Sequence, residues 1–326
     1  MNSRFESLSP TAFTRREALR AGGLALGAAA WSTLLSRTGL AADANTPTLP
    51  ADAPPEIKIE SLGEKFAVIS GAGGNIAVLG GDDGALVIDS GLASASAESA
   101  AAITKTVGPL ALLVNTHWHF DHVGGNERLS RAGARIIGSE NCRKRMSAQQ
   151  YIEFFDKTMP PSPAAALPLV TIASETTIHV NGDDLRLTPV PPAHTDGDLF
   201  IRFEKANVVH CGDLFFRGMF PFIDYSTGGW IGGMAEGAKR ILAVTDAKTR
   251  IIPGHGPIGT RADLEEYLKF LETVLERLNK LKAEGKTVDE AVVAAPTKGF
   301  DESRAQGLFK PDQFVRFAYA GLLKHT

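Results

Sequence analysis

The feature that most restricts this chain is the run Asn115-Thr116-His117-Trp118-His119-Phe120-Asp121-His122, set directly behind an apolar stretch at 110–115. A short, continuous apolar run of this kind reads as a buried strand. Three imidazoles and a carboxylate are thus delivered within six residues at a strand end. They can converge only where the backbone turns sharply, and the Gly124-Gly125 pair that follows permits such a turn and a close backbone approach. Imidazole and carboxylate are the donor types suited to zinc and similar borderline divalent ions.

Further donors follow in order. His194 lies 72 residues after His122 in Pro192-Ala193-His194-Thr195-Asp196-Gly197-Asp198, Asp213 comes 19 later in Cys211-Gly212-Asp213-Leu214-Phe215, and His255 another 42 on in Pro253-Gly254-His255-Gly256-Pro257. Five of the eight histidines fall in these motifs, more than random scatter would place there. With its HxHxDH run the chain resembles the metallo-β-lactamase superfamily over roughly residues 57–281. The resemblance implies an α/β fold, a four-layer αββα sandwich, here with C-terminal helices added. It implies that His117, His119 and His194 hold one metal ion, that Asp121, His122 and His255 hold a second, and that Asp213 bridges the two. Two divalent ions about 3.5–4 Å apart can share a hydroxide, lower its pKa and polarise a substrate carbonyl. Zinc is the expected metal, with iron and manganese as alternatives, and Asp121 can align the nucleophile and take its proton.

The expected activity is hydrolysis of a lactam, lactone, ester or thioester, with the metal-bridging hydroxide as nucleophile. Two other classes stay open: an iron-dependent oxidoreductase of the same fold, acting on sulfur or oxygen, and a noncatalytic periplasmic binding protein. Some zinc β-lactamases carry a cysteine in the second site, whereas Gly-Asp-Leu-Phe here resembles the aspartate form. Cys211 is accordingly expected to be buried for structural reasons. The region after Gly256 lacks the basic features expected for glutathione binding. His179 and His210 read as core histidines with one hydrogen bond each, and His325 as solvated.

The segment 215–222 is unusually aromatic and begins two residues after Asp213, so it suits an apolar wall beside the metals, with Arg217 available for a substrate carboxylate. Trp118 and Phe120 are expected beneath the site, and the hairpin around Asn75 above it. The proline-rich passage 159–168 cannot be a continuous helix and reads as a surface loop near the site, a candidate lid. Cys142-Arg143-Lys144-Arg145 reads as a solvated helix face.

At the N-terminus, Arg15-Arg16 precedes an Ala- and Gly-rich apolar run at 21–35, the layout of an export signal and similar to the twin-arginine type. Residues 1–44 are expected to be a cleaved signal, 45–56 a flexible leader, 57–284 the catalytic domain and 285–326 a helical extension. The implied partners are the twin-arginine export machinery and a small-molecule substrate, and the implied location is the periplasm. No later stretch is apolar enough to imply stable membrane insertion. A formal charge of −3 over 326 residues argues against nucleic acid as a partner, and two cysteines are too few for a disulfide scaffold. Between the motifs, strands are expected at 65–70, 75–80, 85–90, 134–138, 184–190, 199–203, 207–210 and 250–252. Helices are expected at 94–107, 233–243, after Thr260 and Thr287, and at 311–324.

Overall fold

Alternation of apolar side chains along the strands decides the layering. In a strand, successive side chains point to opposite faces. Phe66 and Val68 join one hydrophobic cluster while Ala67 and Ile69, their chain neighbours, join another. A strand apolar on both faces must be covered on both sides, and that requirement builds four layers. The computed structural model describes residues 56–325. The expected export signal and, save for Glu56, the expected leader lie outside them. Among the described residues no helix is long and apolar enough to cross a membrane.

The first sheet contains β1 (Lys58–Gly63), β2 (Phe66–Ser70), β3 (Ile76–Leu79), β4 (Ala85–Ile88), β5 (Leu110–Val114) and β6 (Arg135–Ser139). A two-stranded ribbon follows, β7 (Gln150–Ile152) with β8 (Lys157–Met159), before β9 (Val170–Ile172) completes the first sheet beside β6. Strands β1 to β4 pair antiparallel, and β4, β5, β6 and β9 pair parallel. The second sheet runs in order through β10 (Thr176–Val180), β11 (Asp183–Pro189), β12 (Leu199–Phe203), β13 (Val208–His210) and β14 (Arg250–Ile252). Only its last pair, β13 with β14, is parallel.

Between the sheets lie Phe66, Leu86, Ile88, Leu187, Ile201 and Phe203. Outside the first sheet, α1 (Ser96–Val107) contributes Ile103 and α3 (Asn126–Arg131) contributes Leu129; between them in sequence is the single turn α2 (Phe120–Val123). Outside the second sheet, Phe200, Val209 and Ile251 meet α5 (Ile231–Ala243), α6 (Arg261–Ala283) and α8 (Pro311–Lys324). The remaining helices are α4 (Glu140–Met146) and α7 (Val288–Val293). The expected αββα architecture is the observed one.

Both expected capping boxes are present. The Thr260 hydroxyl accepts from the Asp263 N–H and Asp263 accepts from the Thr260 N–H, and Thr287 with Glu290 repeats the pattern, which satisfies N–H groups the helix leaves unpaired. The C-terminal segment is not a separate appendage: Phe309, Phe314 and Phe317 sit in the same core as Phe200 and Tyr267. The ribbon and the edge strands β9 and β10 escaped sequence reading because they are only three to five residues long and bury few apolar side chains.

The proline-rich passage is an ordered loop with one short helical turn, Ala164–Ala166. Its backbone is tied down where Asn126 Nδ2 donates to Ala166 O at 2.9 Å, Ser162 N to Met146 O at 2.8 Å, and Arg143 to Pro168 O. His179 differs from expectation: it lies exposed on β10, paired with Asp184 at 2.6 Å, because that face of the edge strand has no helix over it.

Candidate metal centre

The parallel strands deliver their C-terminal ends to one side of the sandwich, where open α/β sheets place ligands. His117, His119, Asp121 and His122 follow β5, Asp213 follows β13 and His255 follows β14, while His194 comes from the turn between β11 and β12. These seven residues form two clusters. His117, His119, His194 and Asp213 make one, and Asp121, His122 and His255 the other, with donor atoms in each within 4.8 Å of one another.

Asp213 stands between them. Its Oδ2 lies 3.3 Å from His194 Nε2 and 3.9 Å from His117 Nε2, while its Oδ1 lies 3.1 Å from His122 Nε2 and 3.5 Å from His255 Nε2. Asp121 Oδ2 is 3.2 Å from His255 Nε2 and 3.7 Å from His122 Nε2. Asp213 thus turns one carboxylate oxygen towards each cluster.

Residues behind the ligands fix which ring nitrogen faces inward. His194 Nδ1 donates to Phe222 O at 2.8 Å, His122 Nδ1 to Asp89 Oδ2 at 2.8 Å, and His119 Nε2 to Asp224 Oδ2 at 3.1 Å. The Thr116 hydroxyl gives its single proton to Asp89 Oδ2 at 2.7 Å, so it accepts from His117 Nδ1 at 3.0 Å. A neutral imidazole that donates through one nitrogen presents a lone pair on the other. Four lone pairs therefore aim at the same small volume as two carboxylates. His117 Nε2 and Asp213 Oδ1 are buried and have no hydrogen-bond partner. A buried polar atom left in that state is costly, and cations at the two clusters would satisfy it; the residues fit a dinuclear site.

Ionisation divides the donors. Burial lowers His122, but the carboxylates of Asp213, Asp121 and Asp89 outweigh it and hold the ring well above its ordinary pKa, so a metal at the second cluster would displace protons. Burial holds His117 well below its ordinary pKa and lowers His194 to about 4, so both keep the neutral form a metal needs. Burial alone would raise Asp213, but the imidazoles of His122, His255 and His194 outweigh it and hold the carboxyl well below its usual range. At His255 burial acts downward, and the carboxylates of Asp213 and Asp121 reverse it and push the ring up to about 9.

Asp89 and Asp224 were not legible in the sequence. Asp89 is fully buried at the end of β4, with φ at +61°, a conformation that Asp tolerates better than most residues. It accepts from Thr116 N and Oγ1 and from His122 Nδ1, so one carboxylate aligns ligands on both sides of the centre. Its only signal was an acid closing an all-apolar strand, at 85–89, and nothing local showed that this strand neighbours β5. Asp224, just past the aromatic segment, accepts from Thr227 Oγ1 at 2.7 Å. Replacing Asp89 with Asn should lower metal affinity or kcat/KM by about 10- to 100-fold, read by metal titration and steady-state kinetics, because an amide can also hydrogen-bond His122 in the wrong tautomer.

Two glycines are required by close approach. A Cβ on Gly74 would lie 2.2 Å from the His122 ring, and one on Gly254 would lie 1.9 Å from Asp213 Oδ1. The expected hairpin does border the site, since Gly73 lines the cavity over it; two residues on comes Asn75. Its Nδ2 donates to Pro253 O and Gly256 O, both at 2.9 Å, and so pins the His255 turn from the side. His210 is the satisfied core histidine expected, donating to Asn75 O at 3.0 Å and accepting from Gly212 N at 3.2 Å. Cys211 is fully buried in the core and belongs to neither cluster. Trp118 is buried with its Nε1 on Thr227 Oγ1 at 3.4 Å. In the basic segment, Arg145 pairs with Asp196 at 2.7 Å and steadies the turn carrying His194.

The clusters open on a cavity of about 360 Å³ that His119, Asp121, Asp213 and His255 share with Phe120 and Phe216. Arg217 does not reach it. Its guanidinium is committed to Ile258 O at 2.6 Å and to Asp263 Oδ1 at 3.0 Å, at the first turn of α6.

Comparison with known proteins agrees with this geometry. The family profile described as "Metallo-beta-lactamase superfamily" matches residues 70–275. A hydroxyacylglutathione hydrolase from Rhodospirillum rubrum is 25% identical over 232 residues, covering 69% of this chain and 77% of its own. A metallo-β-lactamase from Pontibacter korlensis superposes with a TM-score of 0.54 at 20% identity, over 67% of this chain and 99% of that one. A stereoselective inverting sec-alkylsulfatase from Pseudomonas sp. gives 0.63 at 15% identity, over 83% of this chain but 51% of the sulfatase. With the family profile spanning most of the two sheets and all seven donors, the chain belongs to the metallo-β-lactamase superfamily.

Proposed function

We propose that this protein is an exported, dinuclear metal-dependent hydrolase that cleaves a carbonyl bond in a lactam, lactone, ester or thioester. The observation that carries the reading is the shared carboxylate of Asp213, which joins two clusters of nitrogen and oxygen donors at the floor of one cavity. Two divalent ions held there would supply a nucleophile at neutral pH and an electrophile for the carbonyl oxygen. An all-nitrogen-and-oxygen donor set without thiolate suits zinc, and iron or manganese as well.

The chain's own residues supply the rest. Asp121 is the carboxylate whose side chain stays part-exposed to the cavity, at 20%, so it is placed to take a proton from attacking water. His255, also part-exposed and stacked on Phe216, with ring centroids 5.4 Å apart, limits where a substrate can approach. Asp89, Asp224 and Thr116 hold the rings still, which keeps the donor geometry fixed through turnover.

The experiment is metal analysis of the purified protein together with a panel of chromogenic lactam, lactone, ester and thioester substrates. About two zinc ions per chain, turnover lost with chelator and restored by zinc, and loss in His119→Ala are the expected results. Iron in place of zinc, with no hydrolysis across the panel, would overturn the reading in favour of redox chemistry. Export rests on Arg15-Arg16 and the apolar run behind it. Changing both arginines to lysine should leave the protein in the cytoplasmic fraction; unchanged periplasmic yield would count against a twin-arginine route.

A further inference from the structure

Away from the ligands, the cavity wall is almost wholly apolar. Ile152 and Phe155 come from the β7–β8 ribbon, Met219 and Phe222 from the aromatic loop, and Leu308 and Phe309 from the segment before α8. The rings support one another: Phe222 stacks on Phe309 with centroids 5.5 Å apart and meets Phe155 at 5.1 Å. The third segment is fixed in place, since Met219 and Ala305 form an antiparallel bridge and Gln306 N donates to Gly218 O at 3.2 Å. It also lies beyond residues 70–275, the part of the chain that the family profile matches.

Among the described residues, no lysine or arginine lines this cavity. Arg217 is tied to α6, and Lys157 sits 5.2 Å from the centre of the Phe120 ring without joining the lining. A substrate carrying a carboxylate on the part that meets the wall would lose hydration there with no cation to compensate. An alkyl chain would instead gain from leaving water, and a cavity of this size suits a small molecule.

We propose that this wall selects an uncharged alkyl chain, so that the preferred substrates are esters or lactones of medium-chain acids. The inference rests on the carbonyl-hydrolase reading and adds the acyl specificity. It also separates this site from one serving a glutathione thioester, which brings carboxylates of its own.

The test uses the zinc-loaded protein and p-nitrophenyl esters of acetic, butyric, hexanoic and succinic acids. From acetyl to hexanoyl, kcat/KM should rise by up to about fourfold per methylene, and the succinyl ester should fall below the butyryl ester. Phe309→Ala should lower the hexanoyl-to-acetyl ratio. That variant removes a core ring, so Leu308→Lys is the companion: Leu308 is 47% exposed, and a cation there should raise the succinyl-to-butyryl ratio while the fold is kept. A flat or falling chain-length series with acetyl ester still hydrolysed overturns the inference and leaves the carbonyl reading standing. If protein holding two metal ions turns over no ester and no lactam, lactone or thioester of the wider panel, the carbonyl reading fails. The wall is then read by calorimetry with acetamide and hexanamide, where tighter hexanamide binding supports it and equal binding overturns it.

Discussion

Asp213→Asn should lose metal and activity together, with kcat/KM falling by on the order of 10²-fold or more. The carboxylate reaches both clusters, its Oδ2 at 3.3 Å from His194 Nε2 and its Oδ1 at 3.1 Å from His122 Nε2. An amide keeps the shape but removes the negative charge that would offset repulsion between two cations. It also turns one of the two inward-facing atoms into a donor pointed at a histidine lone pair or a metal. Elemental analysis should show clearly fewer metal ions per chain than in the parent, with circular dichroism unchanged, because both sheets and their cores are untouched. A variant with a full metal complement and parental kcat/KM would show that Asp213 does not bridge. Gly254→Ala should produce a milder version of the same loss, since its Cβ would meet Asp213 Oδ1 at 1.9 Å and must push that side chain aside.

The second large effect is on stability. Arg304 is 1% exposed, yet it carries a guanidinium into the core between α6 and the segment that leads to the cavity wall. The guanidinium carbon lies 4.0 Å from the Phe270 ring centre and 5.4 Å from that of Tyr267. Its Nη2 donates to both Glu266 oxygens at 3.0 Å, whereas Nε is buried without a partner. Burial lowers its pKa, with Glu266 opposing. Truncation to alanine removes the ring contacts and leaves a cavity, which should cost about 3 kcal/mol and lower Tm by roughly 10 °C. Arg304→Met fills most of that volume and removes the unsatisfied Nε, so it should cost less than half as much. Urea unfolding of the three proteins orders them directly, and equal losses for Ala and Met would show that charge rather than packing is what Arg304 provides. Because Gln306 and Phe309 follow closely on Arg304 and line the cavity, the alanine variant should also raise KM for substrates that reach the wall.

The seven residues of the two donor clusters and the layered fold were expected from the sequence, the first through a family resemblance and the second through local pattern as well. The family signature carried the donor set, because metal-ligand chemistry restricts such positions to residue types like histidine and aspartate. Strand period and capping boxes are local rules, so 199–203, 250–252 and 311–324 match observed elements to the residue. Arg217 shows where that reasoning stops. Its position beside Asp213 in sequence suggested a substrate contact, but the strand that ends at Ile252 and the helix that begins at Arg261 bring Ile258 O and Asp263 to it instead. Asp89 and Asp224 act on histidines 33 and 105 residues away, contacts that exist only once β4 lies beside β5 and the aromatic loop folds back. Motif resemblance and local pattern thus indicated which residues could bind a metal and where most strands run. Tertiary structure alone decided which ring nitrogen faces inward, which arginine is free, and which segments wall the cavity, because each of those depends on partners that are distant in the chain.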